Sequence, residues 1–134
     1  MALVNLQGYK VDRIEFVSLL ENGTTISLEN KYAYNVQYAK DANMARGEFD
    51  VEVHDKANPD KFKVRVVIVG IFSYLEGSRK EEIHAETFKA IFPYAKALIT
   101  TITANCGIKP ILLANIDIDN QQIYRFEKNP ESDD

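Results

Sequence analysis

The stretch Phe62-Lys63-Val64-Arg65-Val66-Val67-Ile68-Val69-Gly70-Ile71-Phe72-Ser73-Tyr74 changes character halfway along. Phe62, Val64, Val66 and Ile68 recur at period two, which marks one face of a strand. Lys63 and Arg65 begin the opposite face as a polar one. Beyond Arg65, Val67, Val69 and Ile71 make it apolar too. A strand that is apolar on both faces is covered on both faces. One layer of helices covers only one of them, so the sequence implies a second cover, either a subunit or a bound ligand.

Reading back from this strand, Phe49, Val51 and Val53 share one face of a preceding strand, with Glu48, Asp50, Glu52 and His54 opposite. Asp55 to Asp60, with Asn58-Pro59, is the connecting loop. Pairing Val53 with Phe62 sets Glu52 against Lys63 and Asp50 against Arg65, and such pairs contribute about 0.2–1 kcal/mol each. Their ordinary role is register and solubility. Tyr32, Tyr34, Val36 and Tyr38 form one face of an earlier strand, with Asn35 and Gln37 opposite. The first strand covers Tyr9 to Leu20. Its alternation slips between Val11 and Ile14, which predicts a bulge, and Asn22-Gly23 supplies a turn.

Reading forward, Phe88, Ile91, Phe92, Ala95, Leu98, Ile99 and Ile102 follow helical spacing. Pro93 lacks an amide donor, so it predicts a kink, or a firm helix only from about Tyr94 onward. Gly107 fits the left-handed C′ position that stops the helix, and Pro110 follows. Ile111-Leu112-Leu113-Ala114-Asn115-Ile116 is apolar, too short for its own helix, and reads as an extended crossover. Asp117 or Asp119 suits the cap of a short C-terminal helix carrying Ile123, Tyr124 and Phe126. Strands followed by helices define an α+β class, here a four-stranded antiparallel sheet with helices on one face.

A chain of 134 residues with no linker or repeat reads as a single domain over 1–134. Its polar, acidic end, Asn129 to Asp134, reads as a frayed tail. The net charge of −4 comes with scattered basic residues, which argues against nucleic acid as the main partner. The first ten residues show no signal-peptide pattern. The longest apolar run, Val66 to Phe72, is too short to cross a bilayer. The single cysteine makes no internal disulfide. The expectation is a soluble cytoplasmic protein.

No catalytic constellation emerges. Cys106 falls at a helix C-terminus, where the dipole disfavours a thiolate. His84 lies about 22 residues earlier, roughly 30 Å away along a helix. Glu81, Glu82, His84 and Glu86 resemble a metal set, yet acidic residues in a first helical turn are ordinary dipole complementation. Asp117 and Asp119 sit where caps are expected, and the six glycines form no phosphate loop. No enzyme, metal or cofactor is expected. Tyr32, Tyr34 and Tyr38 read as the inner face of a sheet, with a peptide platform as the alternative. Phe72 and Tyr74 end the apolar strand, where either a core strand end or a binding surface fits. The helix stripe from Phe88 to Ile102 reads as core, with a subunit interface for any part lying off the sheet.

The order of these phrases resembles the SecB family of export chaperones from about Tyr9 to Phe126. The matching features are Arg13-Ile14 in the opening strand, the hairpin of 49–53 with 62–69, and Gly70-Ile71-Phe72-Ser73. Ile91-Phe92-Pro93-Tyr94-Ala95-Lys96, Gly107, Pro110 and Asn115 follow. The resemblance implies a four-stranded antiparallel sheet, a long helix, a crossover loop and a short C-terminal helix. It implies a homotetramer, a dimer of dimers with the long helix between dimers, which falls here on Tyr94, Leu98 and Ile102. It further implies nucleotide-independent holding of unfolded polypeptides, including preproteins for export. The client groove would be lined by Ile71, Phe72, Tyr74, Ile111, Leu112, Leu113 and Ile116. Two features depart from the family pattern. Val67-Ile68-Val69 is more apolar than the usual approach to the glycine, and the acidic strand face that docks the SecA motor is here interleaved with Lys63 and Arg65. Some SecB-like proteins instead guard the antitoxin of a toxin–antitoxin pair, and the resemblance leaves both roles open.

Overall fold

The computed structural model describes residues 2–116. The expected C-terminal helix with its Asp117 or Asp119 cap, and the tail at 129–134, lie outside them. Strands β1 (Val4–Ser18), β2 (Leu28–Ala39), β3 (Met44–Asp55) and β4 (Phe62–Tyr74) precede one helix, α1 (Lys80–Ala104). The sheet is antiparallel throughout, in the order β1-β4-β3-β2. The expected four-stranded sheet with a long helix is therefore the observed architecture.

β1 begins earlier than the sequence pattern predicts, because Gln7-Gly8 interrupts the alternation that Val4 and Leu6 start. Its register shifts twice, between Leu6 and Gly8 and between Val11 and Arg13. The second shift is the predicted bulge. A single 3-10 turn, Lys40–Ala42, and Asn43 in the left-handed region (φ 52°) join β2 to β3. Asparagine tolerates that conformation better than most residues.

The β3–β4 register differs from the expected one. Val53 faces Val64, Glu52 faces Arg65 and His54 faces Lys63, two residues away from the predicted pairing. An even displacement keeps every side chain on its own face, so the hydrophobic pattern alone does not choose between the two. The turn chooses. Asn58 accepts the amides of Lys61 and Phe62 through its carbonyl, at 3.0 and 3.3 Å. The Asp55 carboxylate accepts the Ser27 and Asn58 amides, both at 2.9 Å. The predicted Arg65–Asp50 pair nonetheless forms on the diagonal, with Nε donating to Oδ1 at 3.0 Å and Nη2 to Oδ2 at 2.7 Å. Lys63 pairs with Glu15 (3.4 Å) rather than with Glu52.

α1 runs through Pro93 without a break, so the helix does not wait for Tyr94 to become firm. Pro93 is exposed, which leaves the carbonyl it cannot serve on the water side. Ile83, Thr87, Phe88, Ile91, Phe92, Ala95, Ile99 and Thr103 form the buried stripe. Phe88 packs edge-on to Phe49 (5.1 Å) and Tyr34 (5.3 Å). The helix comes down where Gly47 and Gly70 face each other across β3 and β4. The Tyr34 ring fills the space that a Cβ on Gly47 would need, with a ring carbon 3.0 Å from it. Ile91 Cδ1 lies 2.9 Å from the corresponding point on Gly70. The Tyr34 hydroxyl donates to Thr87 Oγ1 (2.5 Å), which donates to the Ile83 carbonyl (2.7 Å).

The outer face of β4 is where the sequence-based inference is corrected. Val67 and Val69 are only 7% and 2% exposed without any subunit or ligand. In register they are flanked by Arg13 and Lys10 on β1 and by Asp50 and Glu48 on β3. Long charged side chains cover apolar surface with their stems, so the single chain covers Val67 and Val69 itself, while Ile71 on the same face stays exposed.

Two predictions follow from this packing. Gly47→Ala should destabilise the fold by about 1–3 kcal/mol through overpacking against Tyr34. Adding Tyr34→Phe should return part of that loss, read as non-additivity in urea denaturation. Asp55 concerns acid stability. Its amide bonds, with Ser27 first, hold the carboxyl below the usual carboxylate range against the opposing effect of desolvation. A depressed carboxyl stabilises the fold above its ordinary pKa, and that contribution is lost as pH falls through the lowered value. Asp55→Asn should therefore lower the melting temperature at neutral pH and reduce its dependence on pH in the acid range.

Candidate functional site

A four-stranded sheet is wider than one helix. Strands lie about 4.8 Å apart, and a helix with side chains is about 10–12 Å across. α1 covers the middle of the sheet and leaves both margins to other groups.

On the β1 margin the cover is incomplete. Tyr9, Val11 and Ile14 pair with Gly70, Ile68 and Val66, so they belong to the helix side of the sheet. They remain 48%, 37% and 52% exposed. Tyr94 leans over this margin with its ring 4.5 Å from that of Tyr9. Leu98 and Ile102 follow at successive turns of α1, half-buried against the core. The predicted interface residues Tyr94, Leu98 and Ile102 thus share one side of the helix, beside three apolar strand residues that sequence reasoning had treated simply as strand. The alternation of β1 carried their signal. What it lacked was the knowledge that β1 is an edge strand the helix covers only in part.

The other flank of α1 carries the crossover. Asn105 ends the helix, its side-chain amide donating to the Thr101 carbonyl (2.8 Å). Gly107 takes the left-handed conformation (φ 78°) two residues past the cap rather than at C′. The chain then reverses beside the helix. The Ile111 amide donates to Thr103 Oγ1 (2.8 Å), and Thr100 Oγ1 donates to the Ile111 carbonyl (2.8 Å). Lys96 Nζ donates to Asn115 Oδ1 (3.0 Å). The segment forms no helix or strand up to Ile116 and runs back toward the start of the helix. Leu113 enters the core at 3% exposure, while Leu112 stands out at 74%. Ile111 and Ile116 are half-buried against the core.

The seven predicted groove residues do not share one surface. Ile111, Leu112, Leu113 and Ile116 lie together on the crossover. Phe72 is fully buried, and its ring also crowds the space above Gly70. Ile71 pairs with Gly8 and Arg46 on the outer face of the sheet and is exposed there. Tyr74 packs edge-on to Tyr38 (6.3 Å) near the start of α1, where Lys80 Nζ sits 5.3 Å from the Tyr38 ring centroid. Burial, then the neighbouring Tyr74 and Glu81, push the Tyr38 hydroxyl up to about 12. From Lys80 to Lys96 the helix rises about 24 Å, and Lys96 is where the crossover's Asn115 bonds to the helix, while Tyr74 and Tyr38 pack beside Lys80. Of the tyrosine face, Tyr34 is buried and Tyr32 and Tyr38 are half-buried, the arrangement of an inner sheet face.

Cys106 is exposed just past the end of α1. His84 lies near its start, its ring 5.1 Å from Tyr34. Glu82 and Glu86 pair with Arg79 and Lys89 at 3.4 and 3.3 Å. Among the described residues no three His, Cys, Asp or Glu side chains are grouped to hold a metal ion. Asp117 and Asp119 fall outside them. Among the described residues, no helix is long and apolar enough to cross a membrane.

No family model and no curated protein matches the chain. Solved structures do. The Mycobacterium tuberculosis Rv1957 SecB-like chaperone, in complex with a ChAD peptide from the Rv1956 HigA1 antitoxin, superimposes with a TM-score of 0.66 at 12% identity. That overlap covers 85% of this chain and 88% of that one. A Streptococcus agalactiae protein of unknown function overlaps at a TM-score of 0.48 and 15% identity, over 84% of this chain and 97% of that one, too loosely to bear on the fold. The chain has a SecB-like fold.

The crossover anchor is testable. Thr103→Val keeps the side-chain shape and removes the acceptor of the Ile111 amide. It should cost about 1–3 kcal/mol, the penalty for an unsatisfied donor, and hydrogen exchange at Ile111 should speed up while α1 amides before Ile99 stay protected.

Proposed function

We propose that the protein is an ATP-independent polypeptide chaperone, holding extended apolar segments of non-native chains in the cytoplasm as a homo-oligomer. One observation carries this reading: among the described residues, large apolar side chains stand uncovered on the segments that flank the helix. Leu112 does so on the crossover, and Tyr9, Val11 and Ile14 do so on an edge strand. The SecB-like fold, solved elsewhere with an antitoxin peptide bound, supports it.

The two surfaces receive different roles. Tyr94, Leu98 and Ile102, joined by Tyr9, Val11 and Ile14, form the self-association face of a dimer of dimers. The crossover side, with Ile111, Leu112, Leu113 and Ile116, receives the client. Ile71 and Tyr74 are reserved for parts of a long client that reach beyond it. Phe72 supports the site from within the core. Aliphatic and aromatic surfaces accept many side-chain shapes, so selectivity is low, and several weak contacts around one assembly add up to avidity. Binding the unfolded client draws it away from aggregation and from premature folding by mass action. No nucleotide or metal takes part.

A second reading, a chaperone dedicated to one partner such as an antitoxin, is favoured by the outer face of the sheet. There Glu15 and Asp50 both pair with Arg65, and Asp12 and Glu48 both pair with Arg46. A face whose carboxylates are already paired offers little to a basic docking surface, and motor-coupled export of preproteins loses its electrostatic basis.

The test is fluorescence anisotropy with a labelled, permanently unfolded polypeptide. The wild type should bind at about micromolar Kd, and Leu112→Asp should weaken binding by about tenfold or more with the assembly intact. Equal affinity in a correctly folded Leu112→Asp variant contradicts the crossover assignment. Binding of one antitoxin segment only, with other unfolded chains ignored, selects the dedicated reading.

A further inference from the structure

Two chains of ion pairs cross β4 on the outer face. In the first, Glu15 of β1 meets Arg65 of β4 (3.5 Å), which holds Asp50 of β3 (2.7 Å). In the second, Asp12 of β1 reaches directly over β4 to Arg46 of β3 (3.9 Å), which also holds Glu48 (3.4 Å). Asp12 is the extra residue of the second bulge, and the bulge lets it lie on the same side as Lys10, its other partner at 3.2 Å. Arg13 and Lys63 close the far side of Glu15, at 2.5 and 3.4 Å. Further along the same face, Glu52 and Glu29 flank the His54 ring at 2.8 and 3.1 Å. Between the two crossings lie Val67 and Val69, 7% and 2% exposed, and Ile71 follows at 39%.

We infer that this lattice is a charge-held cover over a latent apolar stripe, and that neutralising its carboxylates uncovers Val67 and Val69 while the sheet stays folded. Individual exposed pairs are weak and salt-sensitive. Here Arg46 and Arg65 are each shared by two carboxylates from different strands, so losing one acid frees a long side chain and the stem that shelters a valine. The direction with pH follows from the carboxylates. The Arg13 hydrogen bond, then Lys63, hold the Glu15 carboxyl below the usual range against some desolvation. Its contribution is therefore present above the ordinary carboxylate pKa and is lost as pH falls through the lowered value. Acid opens the cover and neutral pH closes it. The inference does not depend on the chaperone reading, because it concerns the opposite face of the sheet.

A thiol reporter tests it in the full-length protein. Cys106, the only cysteine, is replaced by serine and Val69→Cys is introduced. At neutral pH and low salt the buried thiol should react with DTNB far more slowly than Cys106 does in the wild type. Adding Asp12→Asn and Glu15→Gln should accelerate it on the order of tenfold, as local opening predicts, with unchanged far-UV circular dichroism. An equal rate with and without the neutralising changes overturns the cover, and so does a Val69→Cys thiol that is already as reactive as Cys106. Should Val69→Cys not fold, Val67→Cys makes the same measurement. Independently, as pH falls below the ordinary carboxylate range the wild type should gain ANS fluorescence before its circular dichroism changes, and simultaneous change of both signals contradicts the inference.

Discussion

The helix rests on the sheet where two facing strand positions lack side chains, Ile91 of the helix seated on one and the Tyr34 ring of β2 on the other. Gly47 and Gly70 face each other there, and Tyr34 and Ile91 occupy the room their missing Cβ atoms leave. This close approach fixes how α1 lies: over the middle strands, with Phe88 and Phe92 against Phe49. The remaining features of the surface follow. The flank of α1 that carries Lys96, Thr100 and Thr103 receives the returning crossover, and the opposite flank leaves Tyr94 leaning over an edge strand it covers only in part.

Much of this was legible in the sequence. Period-two faces located β2, β3 and β4, the slip after Val11 located a bulge, and the helical stripe identified the core face of α1. Three things were not legible, each for a physical reason. The β3–β4 register was ambiguous because a shift of two residues leaves the hydrophobic pattern intact, and only the hydrogen bonds of Asp55 and Asn58 decide it. The outer cover of Val67 and Val69 was missed because the charged residues that flank them in register were counted only as solvated charges, although both valines are buried between them. The groove was drawn as one surface because Phe72, Tyr74 and the crossover are all apolar. Their distance apart depends on where along a long helix each one packs, which no local pattern states.

The two faces of the sheet therefore have opposite characters. One is closed by ion pairs that satisfy each other. The other leaves apolar side chains on extended backbone beside a helix, the kind of surface that accepts segments of other chains. The departure from an acidic docking strand, visible already as Lys63 and Arg65, becomes in three dimensions a lattice with its carboxylates paired. The proposed function rests on the apolar side, and in that proposal the paired carboxylates of the other face leave a motor partner without an electrostatic basis.

The most direct measurement of this account is suppression of aggregation of a chemically unfolded protein, with size-exclusion light scattering on the same sample. The account predicts an oligomer that suppresses aggregation near stoichiometric ratio without nucleotide. A well-folded oligomer or monomer that leaves the aggregation of several unrelated clients, and of antitoxin segments, unchanged would contradict it.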